Sequence, residues 1–392
     1  MDKPYERKIY FGMAIDPIHV GTGGYTLGRV DNPTLRDFDG IPKIPGTSIE
    51  GVCRTYEYFQ GFGRNKACSK GKKIKEKNKE IEPCGSCPIC LAHGFTRDDG
   101  SLQGMALFSD AKVLFFPVAS LIGPVWATCP SRLKELNVDR DAWREFDESK
   151  FCVVSECLKQ KLSNVEYLNF GWLLLKLKKE KDDVITHNMT PETTFEVDNL
   201  RLKFKDRGLD LKEIFERLVI VSDSVFSQIV DSNLEVRTSV SIDPTTGAAE
   251  EGALFTYEAI PRTTIFYFDV VYQKPEHFGL NLGLNVIIST VETGFKLFEF
   301  LGVGGMGTRG FGKLRVFGLD KVYDEIELSR IHAQNLVNEI KKLEERVKEA
   351  KPEEKDEIEG RIKELKGKVK QIYEKMKKIN SIWENAIKEV EK

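Results

Sequence analysis

The pattern of apolar and polar positions predicts strands along several stretches of the chain, alternating at Leu234–Ile242 and Lys313–Leu319. These are Lys8–Ile15, ending at Pro17; Gly104–Val118, around a Leu-Phe-Phe centre; Leu234–Ile242; Ala253–Ala259; Thr263–Val271; and Lys313–Leu319. Ala253–Ala259 and Thr263–Val271 read together as a long hairpin rich in aromatics: Phe255, Tyr257, Phe266, Tyr267 and Phe268. Helical spacing predicts a helix from Ser48, read as its N-cap, to about Phe59. It also predicts a short helix around Phe226–Ile229 and another over Val291–Leu301. Residues 130–235 otherwise follow no single period. From about Ile326 the pattern changes. Leu336, Ile340, Leu343, Val347 and Ala350 repeat at spacings of four and three. After Pro352, which begins a new helix, the repeat resumes at Ile358, Ile362, Leu365, Val369, Ile372, Met376, Ile379, Trp383, Ala386 and Val390. This sustained heptad predicts an antiparallel helical hairpin over 326–392 with Lys351–Glu354 at its tip. It either closes on its own seam or offers an arm to another subunit. Strand–helix–strand units ahead of it predict an α+β sandwich of the ferredoxin-like kind.

Glycine changes this picture at Leu301–Leu314. Six glycines fall within eleven residues there, with Arg309 among them and Lys313 just after. Such a loop lets another chain approach closely, and its N–H groups can cradle an anion. Gly302, Gly304 and Gly307 fit a dinucleotide fingerprint, but that motif follows a strand and opens a helix. Here a helix comes first and a strand follows, so the context excludes it. A loop laid along a nucleic-acid backbone fits the order better, with a purely structural glycine turn as the alternative.

Charge narrows the classes further. Charged residues make up 31% of the chain, yet the net charge is only −2. Nonspecific binding of nucleic acid by bulk charge is excluded, so any contact must come from local patches. The abundance of Lys and Glu leans toward a thermophile. There is no secretory leader and no apolar run long enough to span a bilayer, so a soluble, cytoplasmic protein is expected.

Cysteine is clustered. Cys84, Cys87 and Cys90 form a C-x-x-C-x-x-C run, with Cys68 upstream and His93 just after, while Cys53, Cys129, Cys152 and Cys157 are scattered and read as buried thiols. Metal ligation fits an intracellular chain better than disulfides. Cys68, Cys84, Cys87 and Cys90 would make a closed structural zinc site. His93 is the alternative to Cys68, and an iron–sulfur cluster the alternative to zinc. The stretch Arg64–Lys79 holds eight Lys or Arg against one Glu, so 60–100 reads as a basic, cysteine-rich insertion that metal binding would fold. Its lysines either touch RNA phosphates or form a solvated loop.

Four segments carry a family resemblance. They are Ile18–Pro33, with His19 and Gly-Arg-Val-Asp-Asn-Pro; Ile44–Arg54, Ile-Pro-Gly-Thr-Ser-Ile-Glu-Gly-Val-Cys-Arg; Phe108–Pro130, opening Phe-Ser-Asp-Ala-Lys-Val-Leu-Phe-Phe-Pro-Val; and Arg237 through Pro261 to the glycine loop. Together they resemble the RAMP-superfamily backbone subunit of type III CRISPR effectors, of type III-B (Cmr) by the third segment. The insertion is similar to a zinc site of the related type III-A subunit, which keeps III-A open. Neither the insertion nor the C-terminal hairpin belongs to the usual III-B subunit.

The resemblance implies an RRM-like palm over 1–320 with a thumb hairpin over 234–261. It implies a chain that polymerises with further copies of itself along a CRISPR guide RNA, beside other effector subunits. The thumb would open one guide–target base pair at regular intervals. An acidic residue after the first strand would then cut the complementary target RNA with a divalent metal, Mg²⁺ or Mn²⁺. The matching residue is Asp31, with His19 nearby and Glu258 as an assisting candidate on the thumb. A carboxylate on a polar loop suits a hydrated divalent ion. Expected RNA contacts are Lys43, Ser48, Arg54, Arg237, Arg262, Arg309 and Lys313, with the loop backbone at Gly304, Gly305, Gly307 and Gly310. Many relatives carry Lys where this chain has Glu50, so Arg54 or Lys43 would have to substitute. A non-cleaving RNA-binding scaffold is the alternative function. A guide-processing endonuclease relying on His19 is a more distant one.

Overall fold

The chain was analysed as a computed structural model that describes residues 3–23, 30–136, 167–176, 212–280 and 283–319. It also describes short pieces between 153 and 210 and most of 336–374. It forms two compact units, Met1–Leu319 and Asp320–Lys392.

In the first unit, β1 (Tyr5–Ala14), α1 (Gly46–Phe59) and β2 (Ala111–Val118) form one strand–helix–strand unit. A hairpin of β3 (Glu235–Ile242) and β4 (Ala249–Ala259) follows. Then β5 (Ile265–Gln273), α2 (Leu284–Lys296) and β6 (Leu314–Val316) form a second unit. These four core strands lie in the order β2-β5-β1-β6. Counted along the chain, that is second, third, first, fourth, the order of a ferredoxin-like sandwich. β1 runs antiparallel to β5 from Tyr5↔Gln273 to Met13↔Ile265, and to β6 from Gly12↔Val316 to Ala14↔Leu314. Beyond β2 the sheet continues through Val125–Thr128, Leu218–Ile220, Val153–Ser155 and Thr186–His187, with parallel pairs among them.

A central strand buried on both faces reads as a continuous apolar run, and β1 is buried from Ile9 to Ala14. Ile9, Phe11 and Met13 join Leu114, Trp126, Ile265 and Tyr267 on one face. On the other, Tyr10 stacks on Phe268 at 5.5 Å, and Phe295 of α2 meets both rings edge-on at 5.1 and 5.4 Å.

The structure corrects two local expectations. Ala253–Ala259 and Thr263–Val271 do not pair. β4 pairs with β3, from Glu235↔Ala259 to Ile242↔Ala249, while β5 lies in the main sheet. The apolar pattern marks both segments as strands but does not name a partner. Ser48 is not the cap of α1. The helix starts at Gly46, whose N–H donates to Asp110 Oδ1 at 2.8 Å, so the cap comes from a side chain 64 residues away. The helix expected at Val291–Leu301 begins earlier, at Leu284, and ends in a separate turn at Phe298–Leu301.

In the second unit, Leu336, Ile340, Ile362 and Leu365 are buried together, flanked by Leu343, Val347, Ile358, Val369 and Ile372. Lys366 Nζ pairs with Glu344 Oε1 at 2.8 Å across the two halves. The heptad is therefore one seam over these residues. Met376–Val390 of the repeat lie outside the described residues, as does its tip. No helix among the described residues is long and apolar enough to cross a membrane.

A buried polar chain ties α1 to the insertion. Arg54 is 8% exposed. Its Nε donates to Cys68 O at 2.9 Å and its Nη2 to Gly94 O at 2.7 Å. His93 Nε2 lies 2.8 and 2.9 Å from the two oxygens of the fully buried Glu57. Its Nδ1 is 2.9 Å from Glu50 Oε1, an ion-pair distance without hydrogen-bond geometry. Burial works against charging this imidazole, but Glu57 and Glu50 outweigh it and push it up to about 9. The folded state thus keeps a proton that the unfolded chain releases near 6.5. The stabilisation is full below 6.5 and is lost as pH rises through about 9. Urea unfolding across that window should show wild type losing on the order of 3 kcal/mol. His93→Gln should show a much flatter profile, and equal slopes for the two proteins would refute the ion pair.

Candidate functional site

After β1 the chain enters residues 15–42, of which 24–29 lie outside the described residues. The described part has no regular element beyond isolated bridges. Its backbone groups must still be satisfied, and β4 with its continuation does most of this. Ile18 and Ile260 exchange N–H···O bonds of 2.9 and 2.8 Å. Asn32 N–H donates to Thr256 O at 3.0 Å, and Glu258 N–H donates to Asn32 O at 3.0 Å. Gly21 bridges Thr34, closing the loop on itself.

This stitching brings the three expected catalytic residues to one place, the base of β4. Asp31 is exposed. Its Oδ2 accepts from Thr256 N–H at 2.8 Å and from the Thr256 hydroxyl at 2.7 Å, while its own N–H donates to that hydroxyl at 2.8 Å. The Thr256 hydroxyl first, and then its N–H, hold the Asp31 carboxyl below the usual carboxylate range. Oδ1 has no hydrogen-bond partner among the described residues, so a dressed and a free oxygen stand side by side.

His19 is 6% exposed. Its Nδ1 lies 2.6 Å from Glu258 O, and because a carbonyl only accepts, Nδ1 carries the proton. His19 O accepts from Gly305 N–H at 2.9 Å, and Tyr257 meets its ring edge-on at 5.6 Å. One histidine therefore pins the glycine loop to the hairpin. Glu258 is 8% exposed and fully engaged. Its Oε1 pairs with Arg36 at 2.8 Å and its Oε2 accepts from Thr34 N–H at 3.0 Å. It braces the loop carrying Asp31 and offers no free oxygen, which corrects the expectation that it assists chemistry.

The glycine loop is shaped by close approach. Gly304 has φ +89°, and a Cβ there would lie 2.5 Å from His19 O. Gly312 has φ +94°, with 2.7 Å to Val303 O. Val303 N–H donates to Gly312 O at 2.8 Å, and Tyr56 of α1 donates its hydroxyl to Gly302 O at 2.7 Å. Gly304, Gly305, Gly307, Arg309 and Gly310 are exposed on the outer side. Arg237 of β3 reaches this loop, donating to Gly310 O at 3.2 Å with its guanidinium 4.7 Å from the Phe311 ring centre.

The other expected RNA contacts divide. Arg262 is exposed at the foot of the hairpin, and Lys313 is exposed with Asp16 at 3.5 Å. Lys43 lies elsewhere, beside the start of α1, held by Asp110 at 2.7 Å and Asp37 at 3.5 Å. Ser48 is half-buried in the first turn of α1. Arg54 faces the insertion from a buried position, which removes it from any phosphate. Nothing in the local sequence separated it from an exposed arginine.

In the insertion, the Sγ atoms of Cys68, Cys84, Cys87 and Cys90 all lie within 4.8 Å of one another. Cys84 N–H points at Cys68 Sγ at 3.4 Å, and Cys87 N–H at Cys84 Sγ at 3.3 Å. Hydrogen bonds from Cys68, Cys87 and Cys90 hold the Cys84 thiol far below its ordinary value. His93 is not in this group. Its ligand atom clusters instead with those of Cys53 and Glu57. A basic hairpin turns at Lys77 and Asn78, both at positive φ, as a two-residue connection requires.

The chain belongs to the RAMP superfamily, whose family model matches residues 13–315. It is 26% identical over 308 residues to the CRISPR system Cmr endoribonuclease Cmr4 of Pyrococcus furiosus, covering 77% of this chain and 92% of that one. A cryo-EM structure of the type III-B Cmr-beta complex bound to cognate target RNA contains a similar chain. The TM-score is 0.52 at 15% identity, over 82% of this chain and all of that one. A crystal structure of Cmr4 matches with a TM-score of 0.45 at 21% identity, over 81% of this chain and all of that one. The chain is thus similar in sequence to Cmr4 and in fold to a chain of a type III-B Cmr complex.

Gly304→Ala should cost roughly 2–4 kcal/mol, combining left-handed strain with the clash on His19. Gly279, also at positive φ but with open space around it, supplies the control, since its alanine variant should cost only about 1 kcal/mol. Equal melting shifts for the two variants would mean that the loop does not bear on His19 as described.

Proposed function

We propose that this chain is the guide-RNA-binding backbone subunit of a type III-B CRISPR ribonucleoprotein, and that it cuts complementary target RNA at regular intervals. The observation that carries the reading is Asp31. It is an exposed carboxylate with one oxygen fixed by β4 and the other free, on a chain of the RAMP superfamily. Its partners are the guide RNA, the target RNA, further copies of the chain and other effector subunits.

Asp31 fits a divalent ion of the Mg²⁺ class. One free carboxylate oxygen suits a cation that keeps most of its waters and takes further ligands from a phosphate. Among the described residues Asp31 joins no cluster of three or more ligand groups, so RNA and water would complete the shell. When bound, such an ion supplies positive charge beside the attacking 2′-hydroxyl and the scissile phosphate. The protein's own residues do the rest. Thr256 fixes Asp31, Glu258 and Arg36 brace the loop behind it, and His19 holds the glycine loop against the hairpin. The N–H groups of that loop, with Arg309, Arg237, Arg262 and Lys313, form the phosphate track, and their binding falls with salt. The β3–β4 hairpin acts as the thumb.

The four cysteines fit a closed tetrahedral zinc site of structural type. Their cluster, with Ile89 and flanking Tyr58, Phe62 and Phe95, is the core of the insertion. A lysine-rich segment with so little apolar mass folds around a metal.

Two measurements test this. In the complex assembled with guide RNA and Mg²⁺, wild type should cut labelled complementary RNA at even spacing. Asp31→Asn should bind that RNA but lose cutting by about 100-fold or more. Binding without cutting by either protein, across several divalent metals, would support the scaffold instead. Elemental analysis should find about one zinc per chain, and Cys87→Ser should lose both the zinc and the melting temperature that it supports. Iron in place of zinc would overturn the structural assignment.

A further inference from the structure

Asp31 is exposed, so nothing in a packed core holds its side chain. Among the described residues, what holds it is Thr256, 225 positions away on β4. Every polar atom of Thr256 is committed to Asp31 and Asn32. Its N–H and hydroxyl donate to Asp31 Oδ2, the hydroxyl oxygen accepts from Asp31 N–H, and its carbonyl accepts from Asn32 N–H at 3.0 Å and Nδ2 at 3.3 Å. The stoichiometry closes, because a hydroxyl has one proton to give and lone pairs to receive. Both donors converge on the same oxygen, so the carboxylate has one orientation and presents Oδ1 outward.

The location matters as much as the geometry. β3 and β4 pair with each other and not with the main sheet. Thr256 stands opposite Thr238, and along the same face Val236, Val240 and Leu254 are 52%, 42% and 62% exposed. The hydroxyl that seats Asp31 thus shares a face with uncovered apolar side chains of the hairpin. A carboxylate seated by its own loop would be indifferent to where that hairpin sits, whereas this one is not.

We propose that Thr256 is the positioning residue of the cleavage reaction, seating Asp31 from the hairpin so that the carboxylate is aimed only while the hairpin is in place. This rests on the reading of Asp31 as the cleaving residue. Thr256 is assigned no direct role in the chemistry and acts through Asp31.

Thr256→Val keeps the shape and the backbone N–H bond but removes both hydroxyl bonds. Thr256→Ser keeps them. Each variant, with wild type and Asp31→Asn, would be assembled into the complex with guide RNA. Single-turnover cutting would be measured at saturating target, target affinity separately in chelator, and complex melting alongside. Thr256→Val should cut ~10- to 100-fold more slowly, the usual cost of losing a group that orients a ligand side chain. Its target affinity should stay within about twofold, so that the loss lies in the rate and not in binding. Thr256→Ser should restore most of the rate. If Asp31→Asn is inactive while Thr256→Val cuts like wild type, the positioning role is overturned and the cleavage reading stands. If Thr256→Val and Thr256→Ser both lose assembly or target affinity, Thr256 is merely structural. If Asp31→Asn cuts like wild type, the cleavage reading falls, and the positioning role with it.

Discussion

The backbone of residues 15–42 has almost no ladder of its own, and everything at the candidate site depends on how its N–H and C=O groups are satisfied. An unsatisfied buried group costs about as much as a lost hydrogen bond. The described part of this segment avoids that cost by borrowing partners from β4 at Thr256 and Glu258, from Ile260 just after it, and from the glycine loop at Gly305 and Gly312. Three elements far apart in sequence therefore meet because one irregular segment needs them. Loops that carry function on a rigid scaffold commonly do so. Here the scaffold is β1, held on both sides by β5 and β6 and covered on both faces.

A second constraint operates on the far side of α1. Glu57, His93 and Arg54 are buried, and taking charges out of water costs several kcal/mol each before pairing offsets it. Each charge has its opposite or a carbonyl within hydrogen-bond reach. Against an apolar core of the same volume such a network adds little, but removing one charge, as deprotonation of His93 does, leaves its buried partners uncompensated. It links the helix whose Tyr56 holds the glycine loop to the carbonyl of Cys68, itself one of the four clustered thiols. The cysteine cluster is thus joined to α1 by directional polar contacts as well as by the apolar packing of Tyr58 and Phe62.

Several readings carried over well because their signal is local. A C-x-x-C-x-x-C run brings sulfurs together whatever surrounds it, and Cys68 proved to be the fourth. The glycine density at 302–312 reflects real steric demand, since the Gly304 and Gly312 positions leave no room for a Cβ. The apolar runs of β1 and β5 located the central strands to within a few residues. Readings that needed a partner fared worse. Glu258 looked like a spare acid and is a brace. Arg54 looked like a phosphate ligand and is a buried tie. Ser48 looked like a cap, and the cap is Asp110. Thr256 carried no signal at all, because a threonine in an alternating strand is ordinary.

Period, glycine density and cysteine spacing marked out the α+β class, the cysteine cluster and the apolar repeat, while Asp31 was singled out by the resemblance of its segment to the RAMP family. These properties depend on residues near one another in the chain. Which polar group meets which was decided only in three dimensions. The free energy of a buried or clasped polar side chain is set by its partner, and here the partners are tens to hundreds of residues away. The same carboxylate is a brace at Glu258, where Arg36 and Thr34 consume both oxygens. At Asp31 Thr256 consumes only one, and among the described residues the other oxygen has no partner.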